Sequence, residues 1–156
     1  WSNVNSVVLI NKSKELINKS KKEFDIGYRN VNLDNDSFFV SASFSLKKND
    51  FNNSLDKLKE FLKNRRRSQP TGLPSCGSVF KNPDNDSAGK ILDLLGLKGS
   101  RIGGAYISKK HANFIITEKS AKSDDVEKLI NLIQDKVFRE KKIFLETEVK
   151  FIGIKQ

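Results

Sequence analysis

The spacing of apolar residues changes near residue 48, and this change constrains the fold more than any other feature. Between Phe38 and Leu46, apolar side chains alternate with serines and would occupy one face: Val40, Ala42, Phe44 and Leu46. A two-residue period predicts a half-buried antiparallel strand. From about Asp50 to Arg66 the period becomes that of an α-helix with one apolar stripe. The chain therefore combines a strand-rich first part with a helix-containing second part.

Two more helices are indicated further along the chain. One begins at Ser87 as N-cap and ends at Gly96. The other spans about Asp124–Glu140, with two acidic residues in its first turn and an apolar stripe formed by Val126, Leu129, Ile130, Ile133 and Val137. Short apolar runs predict additional strands: Val7–Ile10, Tyr106–Ile107, Phe114–Ile116 and Phe144–Ile154. This order of strands and helices is typical of an α+β fold, and Lys47–Asp50 is its weakest point.

The net charge of +10 favours phosphate-bearing partners, nucleic acid among them. One interpretation is therefore a basic α+β nucleic-acid-binding module that uses Arg65–Arg67. The lysines are spread along the whole chain, however, and clusters of base-stacking aromatic residues are not evident. A generally lysine-rich solvated surface explains this distribution better, so a nucleic-acid partner is not expected.

No apolar run approaches the roughly 20 residues that a membrane-spanning helix needs, so no membrane partner is expected. The N-terminal residues lack the pattern of a secretory signal. Cys76 is the only cysteine, which rules out an internal disulfide and agrees with a reducing cytosol. The chain has no Met, so we expect it to be a processed or trimmed product. No metal site is predicted.

The segment Pro74–Pro83 (PSCGSVFKNP) is the most informative motif. Gly77 lacks a Cβ, which lets a ligand approach the backbone and the neighbouring hydroxyl of Ser78. Alone, a Gly-Ser pair is usually a structural turn. Four further segments have motif character: Phe24–Arg29 (FDIGYR), Leu97–Ala105 (LKGSRIGGA), Ser108–Phe114 (SKKHANF) and Leu145–Gly153 (LETEVKFIG). Together, and in the order in which they occur along the chain, these segments resemble the UDP-N-acetylenolpyruvoylglucosamine reductase family.

The resemblance implies the C-terminal portion of an FAD- and NADPH-dependent oxidoreductase of cytoplasmic peptidoglycan synthesis. NADPH would reduce FAD, and UDP-N-acetylglucosamine enolpyruvate would then be reduced to UDP-N-acetylmuramate. Residues 1–48 would be the end of an FAD-binding domain, and residues 49–156 the substrate-binding domain. The Gly-rich flavin loop of the family would lie in an N-terminal half ahead of Trp1, so the fragment is expected to be inactive alone.

The resemblance also implies three catalytic residues. Arg29 would stabilise negative charge that develops beside the substrate carboxylate, as a planar guanidinium can. Ser78 would donate the proton, and Glu148 would be the acid near the carboxylate. Because the three residues come from three separate motifs, we expect the fold to bring them together. Cys76 matches a position where the family usually has a small residue, which indicates packing.

Five further positions are implied by the same motifs. Asn82 and Lys81 match substrate contacts, and Arg66 and His111 fall near positions that contact the nucleotide part of the substrate. His111 has a second interpretation, as a packing residue at a strand edge. Lys150 matches a basic residue near the flavin.

Overall fold

A computed structural model describes residues 1–34, 36–48 and 50–153 of the chain. It contains eight strands, three α-helices and one 3-10 turn (Lys21–Glu23) within those residues: β1 (Val4–Ile10), β2 (Leu16–Ser20), β3 (Ile26–Gly27), β4 (Asn30–Val31), β5 (Phe38–Phe44), α1 (Phe51–Ser68), α2 (Ala88–Leu94), β6 (Arg101–Ile102), β7 (Ala105–Ile107), β8 (Ile115–Thr117) and α3 (Ser123–Lys141). The α+β class is therefore confirmed. The chain divides into two compact units, Trp1–Ser54 (unit 1) and Leu55–Gln156 (unit 2).

Unit 1 is built on an antiparallel sheet in the order β2-β1-β5. Its central strand β1 includes the predicted Val7–Ile10 and begins three residues earlier. A small core lies on one face of β1, formed by Val4, Val7 and Leu9 with Phe24 and Leu33 packed against them. The short strands β3 and β4 form a separate hairpin. Strands this short carry too few residues to show a period in the sequence.

The strand predicted over Phe38–Leu46 is confirmed as β5, but its predicted burial is wrong. Every residue of β5 is exposed, including Phe38 at 68% and Phe44 at 59%. The alternation of apolar residues shows which face of a strand is apolar, whereas burial requires another element to cover that face. Among the described residues, no element buries the face that carries Val40 and Phe44.

Unit 2 has a larger core between α2, α3 and the sheet β6-β7-β8. The apolar stripe predicted for α3 is confirmed, because Leu129, Ile130, Ile133 and Val137 are buried on one side of the helix. The Asp125 carboxylate accepts hydrogen bonds from the amides of Lys122 and Gly104. These bonds lower its pKa and fix the start of α3 against the β6–β7 turn.

The helix predicted over Asp50–Arg66 is confirmed as α1, and none of its residues is buried, so its apolar stripe faces outward. One prediction for unit 2 requires correction. The last strand, predicted over Phe144–Ile154, does not form as a regular strand within residues 144–153. Within these residues, the backbone pairing is with a short extended stretch near Phe80. That stretch is too short to pair with a full strand. Ile154 lies outside the described residues.

The helix predicted over Ser87–Gly96 is confirmed as α2, and the predicted strands at 106–107 and 114–116 correspond to β7 and β8. Ser87 stands at the N-cap position, but its side chain makes no capping bond. The division into residues 1–48 and 49–156 by domain role stays a prediction, and Asn49 lies outside the described residues.

Candidate active site

The residues Ser78–Lys81, here called the motif segment, run between two other parts of unit 2. On one side, Ser78 forms a β-bridge with Phe114. The Val79 amide donates a hydrogen bond of 2.9 Å to the backbone carbonyl of Asn113. Val79 and Phe80 are buried in the core, whereas Ser78 is half-buried. The core thus fixes the segment and leaves the serine accessible.

On its other side, the motif segment pairs with residues 146–148. The Glu148 amide donates to the Val79 carbonyl at 2.8 Å, and the Lys81 amide donates to the Glu146 carbonyl at 2.9 Å. Leu145 is fully buried, and its carbonyl accepts a bond of 2.8 Å from the Gln134 side chain on α3. Ser78 and Glu148, which are distant in sequence, therefore lie on adjacent paired segments.

Gly77 turns the chain into the motif segment. Its φ of +85° is in the left-handed region, where a residue with a Cβ is strained. Cys76, immediately before it, is a free and exposed cysteine. The glycine therefore has a backbone role at this turn, and its role of leaving space for a ligand beside Ser78 stays a prediction.

Lys81 and Asn82 extend the site towards α2. The Lys81 Nζ lies 2.5 Å from Glu146 Oε1, and the lysine side chain is only 25% exposed. The Asn82 Oδ1 accepts a bond of 3.0 Å from the amide of Ala88, the first residue of α2. Asn82 therefore caps this helix with its oxygen, and its Nδ2 is the atom with which it would donate to a ligand.

Beside α2 lies a cleft of about 400 Å³, here called the basic cleft. Its lining includes Lys90, Lys98, Lys110 and His111 together with one carboxylate, Asp93. Lysines around a concave site favour an anionic ligand. Asp93 pairs with Lys98 at 2.6 Å, and Lys90 pairs with Asp86 at 3.4 Å, so Lys110 contributes the larger part of the unbalanced positive charge.

His111 is held in the neutral form in this cleft. Burial, with a smaller contribution from the charge of Lys98, lowers the pKa of His111 below its ordinary value. Its Nδ1 accepts a bond of 3.2 Å from the Asn113 amide. The hydrogen of the neutral ring is therefore on Nε2, which can donate.

Gly89 on α2 gives the His111 ring its space. A Cβ at Gly89 would come within 2.8 Å of the ring atom Cε1. The loop on the other side is fixed by the buried Ser108, whose Oγ accepts bonds from the amides of Lys110 and His111. The histidine thus fills a prepared position between α2 and the loop after β7.

Arg66 lies on an exposed basic surface of α1 that includes Lys59, Lys63 and Arg67. The Lys110 Nζ donates a bond of 2.9 Å to the Arg66 carbonyl. This contact connects the end of α1 to the loop that bears His111.

Arg29 belongs to unit 1, where it occupies the tip of the β3–β4 hairpin with a φ of 55°. Its guanidinium lies 5.8 Å from the centre of the Tyr28 ring. The meeting of Arg29 with Ser78 and Glu148 stays a prediction, because these residues belong to different units. Lys150 is exposed, two residues after Glu148.

Several residues of this site did not stand out in the sequence. Lys98 and Lys110 are indistinguishable by pattern from the other lysines of the chain, and Glu146 resembles Glu148. Asn113 lies within the motif Ser108–Phe114, but only the structure shows that its side chain contacts the motif segment. Within the described ranges, the structure contains no group of residues suited to a metal ion. No helix in the described part of the chain has the length and hydropathy that a bilayer crossing requires.

Comparison with known proteins agrees with these motifs. Residues 69–152 match the UDP-N-acetylenolpyruvoylglucosamine reductase C-terminal domain. UDP-N-acetylenolpyruvoylglucosamine reductases from Methylococcus capsulatus and Legionella pneumophila (strain Corby) are 39% and 41% identical over 98% of this chain. The chain spans about 50% of the length of each of these relatives.

A similar fold is found in the crystal structure of UDP-N-acetylenolpyruvylglucosamine reductase (MurB) from Thermus caldophilus. The TM-score is 0.81 at 31% sequence identity, covering 94% of this chain and 52% of that chain.

Proposed function

Because the chain belongs to the UDP-N-acetylenolpyruvoylglucosamine reductase family, we propose that it supplies the substrate-binding part of that enzyme. The reaction is the NADPH-driven, FAD-mediated reduction of UDP-N-acetylglucosamine enolpyruvate to UDP-N-acetylmuramate in cytoplasmic peptidoglycan synthesis. One observation carries this proposal: the motif segment that bears Ser78 is hydrogen-bonded directly to the segment that bears Glu148. A half-buried hydroxyl on a segment paired with one that bears a carboxyl is suited to proton delivery.

The proposed catalytic roles follow the chemistry of the double bond. Addition of hydride to one carbon moves an electron pair towards the substrate carboxylate, where Arg29 stabilises the enolate that forms. Ser78 Oγ then gives its proton to the carbon next to the carboxylate. Glu148 lies near the carboxylate as the acid of the site.

The basic cleft is the proposed site for the nucleotide part of the substrate. A diphosphate matches its lysines, and the neutral His111 ring offers Nε2–H as a donor without adding charge. Lys81 ends the motif segment and Asn82 caps α2, so these two residues would contact the sugar end. Arg66 would contribute from the end of α1.

The flavin would be bound by an N-terminal region that works with this chain. Among the described residues, only the exposed Lys150 is assigned to the flavin, and one lysine does not replace the backbone donors that a pyrophosphate needs. In this proposal residues 1–48 end the flavin-binding domain and residues 49–156 form the substrate-binding domain. When bound, FAD supplies the hydride. Family membership leaves the nucleic-acid alternative without support.

Ser78→Ala in the complete reductase, meaning this chain together with its flavin-binding region, tests the proposal. Turnover should fall about 10²–10⁴-fold, the usual contribution of general acid catalysis. NADPH-dependent reduction of the flavin should stay within about twofold, because Ser78 acts only after that step. Stopped-flow flavin absorbance and steady-state turnover separate the two steps. Turnover that survives within about tenfold would show that another group donates the proton.

The 156-residue chain alone should fold, yet it should not bind FAD with micromolar affinity or oxidise NADPH. In this proposal the backbone donors for the pyrophosphate belong to the flavin-binding region, and burying a charged dinucleotide without them is unfavourable. Titration calorimetry with FAD and with the UDP-sugar, on one preparation, measures both affinities. Weak binding of the UDP-sugar alone is expected. Micromolar FAD binding would mean that the flavin site has been misplaced.

A further inference from the structure

Asn113 is a buried polar residue at the centre of the candidate active site, and the reaction proposed above gives it no role. Its side chain is almost completely enclosed, with 4% of the residue exposed. Buried amide groups are costly unless their hydrogen bonds are satisfied. Both ends of this amide are satisfied by one residue of the motif segment, Phe80.

The bonds between Asn113 and the motif segment form a three-point attachment, here called the clamp. The Phe80 amide donates to Asn113 Oδ1 at 2.9 Å, and Asn113 Nδ2 donates to the Phe80 carbonyl at 2.8 Å. The third bond runs from the Val79 amide to the Asn113 backbone carbonyl. A regular strand would supply such partners from its backbone, so here a side chain completes the pairing.

The same residue is also attached to the basic cleft. Its amide donates to Nδ1 of His111, whose ring lines that cleft. Val79, whose amide belongs to the clamp, accepts a hydrogen bond from the amide of Glu148 with its carbonyl. Asn113 therefore connects the proposed nucleotide site with both proposed catalytic residues of unit 2.

We propose that Asn113 is a positioning residue that sets the placement of Ser78 and Glu148 for proton delivery; this inference rests on the proposed function. A displacement of about 1 Å in a reacting group can cost about 10²-fold in rate. Without the clamp, Phe80 would retain its core packing, but its amide and carbonyl would lose their partners and the segment could shift.

The chemistry of the clamp requires one donor and one acceptor in a fixed arrangement. Asparagine provides both on a short side chain. An ionised aspartate would place an acceptor against the Phe80 carbonyl, whereas a protonated aspartate would restore the donor. Burial raises the pKa of a carboxyl group, which brings this protonation towards the working pH range.

Asn113→Asp in the complete reductase is the main test. At pH 8, we expect substrate-dependent flavin reoxidation to fall about 10–100-fold, while the KM for the UDP-sugar and NADPH-dependent flavin reduction change less than about threefold. The rate relative to wild type should recover as the pH is lowered. Other ionisable residues also face this region: His111, Lys81, Glu146 and Glu148. Dividing the rate of the variant by that of wild type at each pH removes the pH dependence that both proteins have in common.

Two further variants make the result decisive. Asn113→Ser keeps a small polar side chain and should fold, yet it loses the paired bonds and should show the same loss of reoxidation rate without recovery at low pH. Asn131→Asp, an exposed asparagine on α3, should match wild type. Reoxidation within about twofold of wild type in both Asn113 variants would overturn the proposal. An inactive wild-type reductase would instead reject the proposed function, and the positioning role with it.

Discussion

Units 1 and 2 differ in how much of their apolar surface they enclose themselves. In unit 2 the described core is one cluster of fifteen buried residues from helices, strands and loops, whereas in unit 1 it contains Val4, Val7 and Leu9. Burial of apolar surface is the main stabilising contribution to a fold. The comparison indicates that unit 2 can carry its own stability and the site built on it, while unit 1 depends on a much smaller core.

The largest expected effect is on the core of unit 2. Leu129→Ala removes a fully buried side chain from α3 and should lower the free energy of unfolding of unit 2 by about 2–5 kcal/mol. Urea denaturation of the 156-residue chain, followed by far-UV circular dichroism, reports this loss, since α2, α3 and most of α1 belong to unit 2.

The other unit provides an internal comparison in the same experiment. Trp1, the only tryptophan, packs against Phe24 and Phe39, so its fluorescence follows unit 1. The fluorescence transition should move little in Leu129→Ala. Leu132→Ala, at a position that is 41% exposed on the same helix, is the matched control and should cost far less. Equal shifts of both transitions would show that the two units unfold together.

Asn82→Ala should have a smaller effect, also confined to unit 2. It removes the oxygen that accepts the Ala88 amide, and loss of a helix cap typically costs about 1 kcal/mol. Ser87→Ala is the control, because Ser87 holds the N-cap position without a capping bond, and its change should stay below about 0.5 kcal/mol. The dichroism transition in urea measures both. A greater loss from Ser87→Ala would contradict the assignment of the cap.

The smallest expected effect is on the pH dependence of stability, and it is expected in unit 2 and not in unit 1. Because the pKa of His111 is lowered in the folded state, its contribution to stability is complete above the ordinary value of about 6.5 and is lost as the pH falls below it. His111→Gln should therefore reduce the loss of unit 2 stability between pH 8 and pH 5.5. The Trp1 transition should show the same pH dependence in both proteins. An unchanged dichroism profile in the variant would count against a half-buried histidine with a lowered pKa.

Sequence patterns predicted the elements in which apolar residues repeat regularly over many consecutive positions. The stripe and acidic start of α3 identify it almost to its ends, and β5 is recognised by strict alternation. Neither pattern contains information about partners, which is why the exposure of β5 and α1 was missed.

The candidate site was predictable only as a set of separate motifs. Ser78 and Glu148 were selected by family resemblance, and their pairing arises from isolated bonds between distant segments that leave no periodic signal. The same is true of Asn113, whose neighbours in the sequence give no sign that its amide fits the Phe80 backbone. The role of Arg29 still depends on that resemblance.

The two-sided pairing of the motif segment has a consequence for how the protein is made. Lys81 and its partner Glu146 are 65 positions apart, so a ribosome working at about 5–20 residues per second needs roughly 3–13 s between them. Both edges of the apolar stretch Val79–Phe80 are unpaired until Asn113 has been made, and one edge stays unpaired until Glu146 follows. An unpaired edge is prone to association with other chains. Ser78 is thus synthesised well before the segment that completes its surroundings, and chaperones that cover such edges would act in this interval.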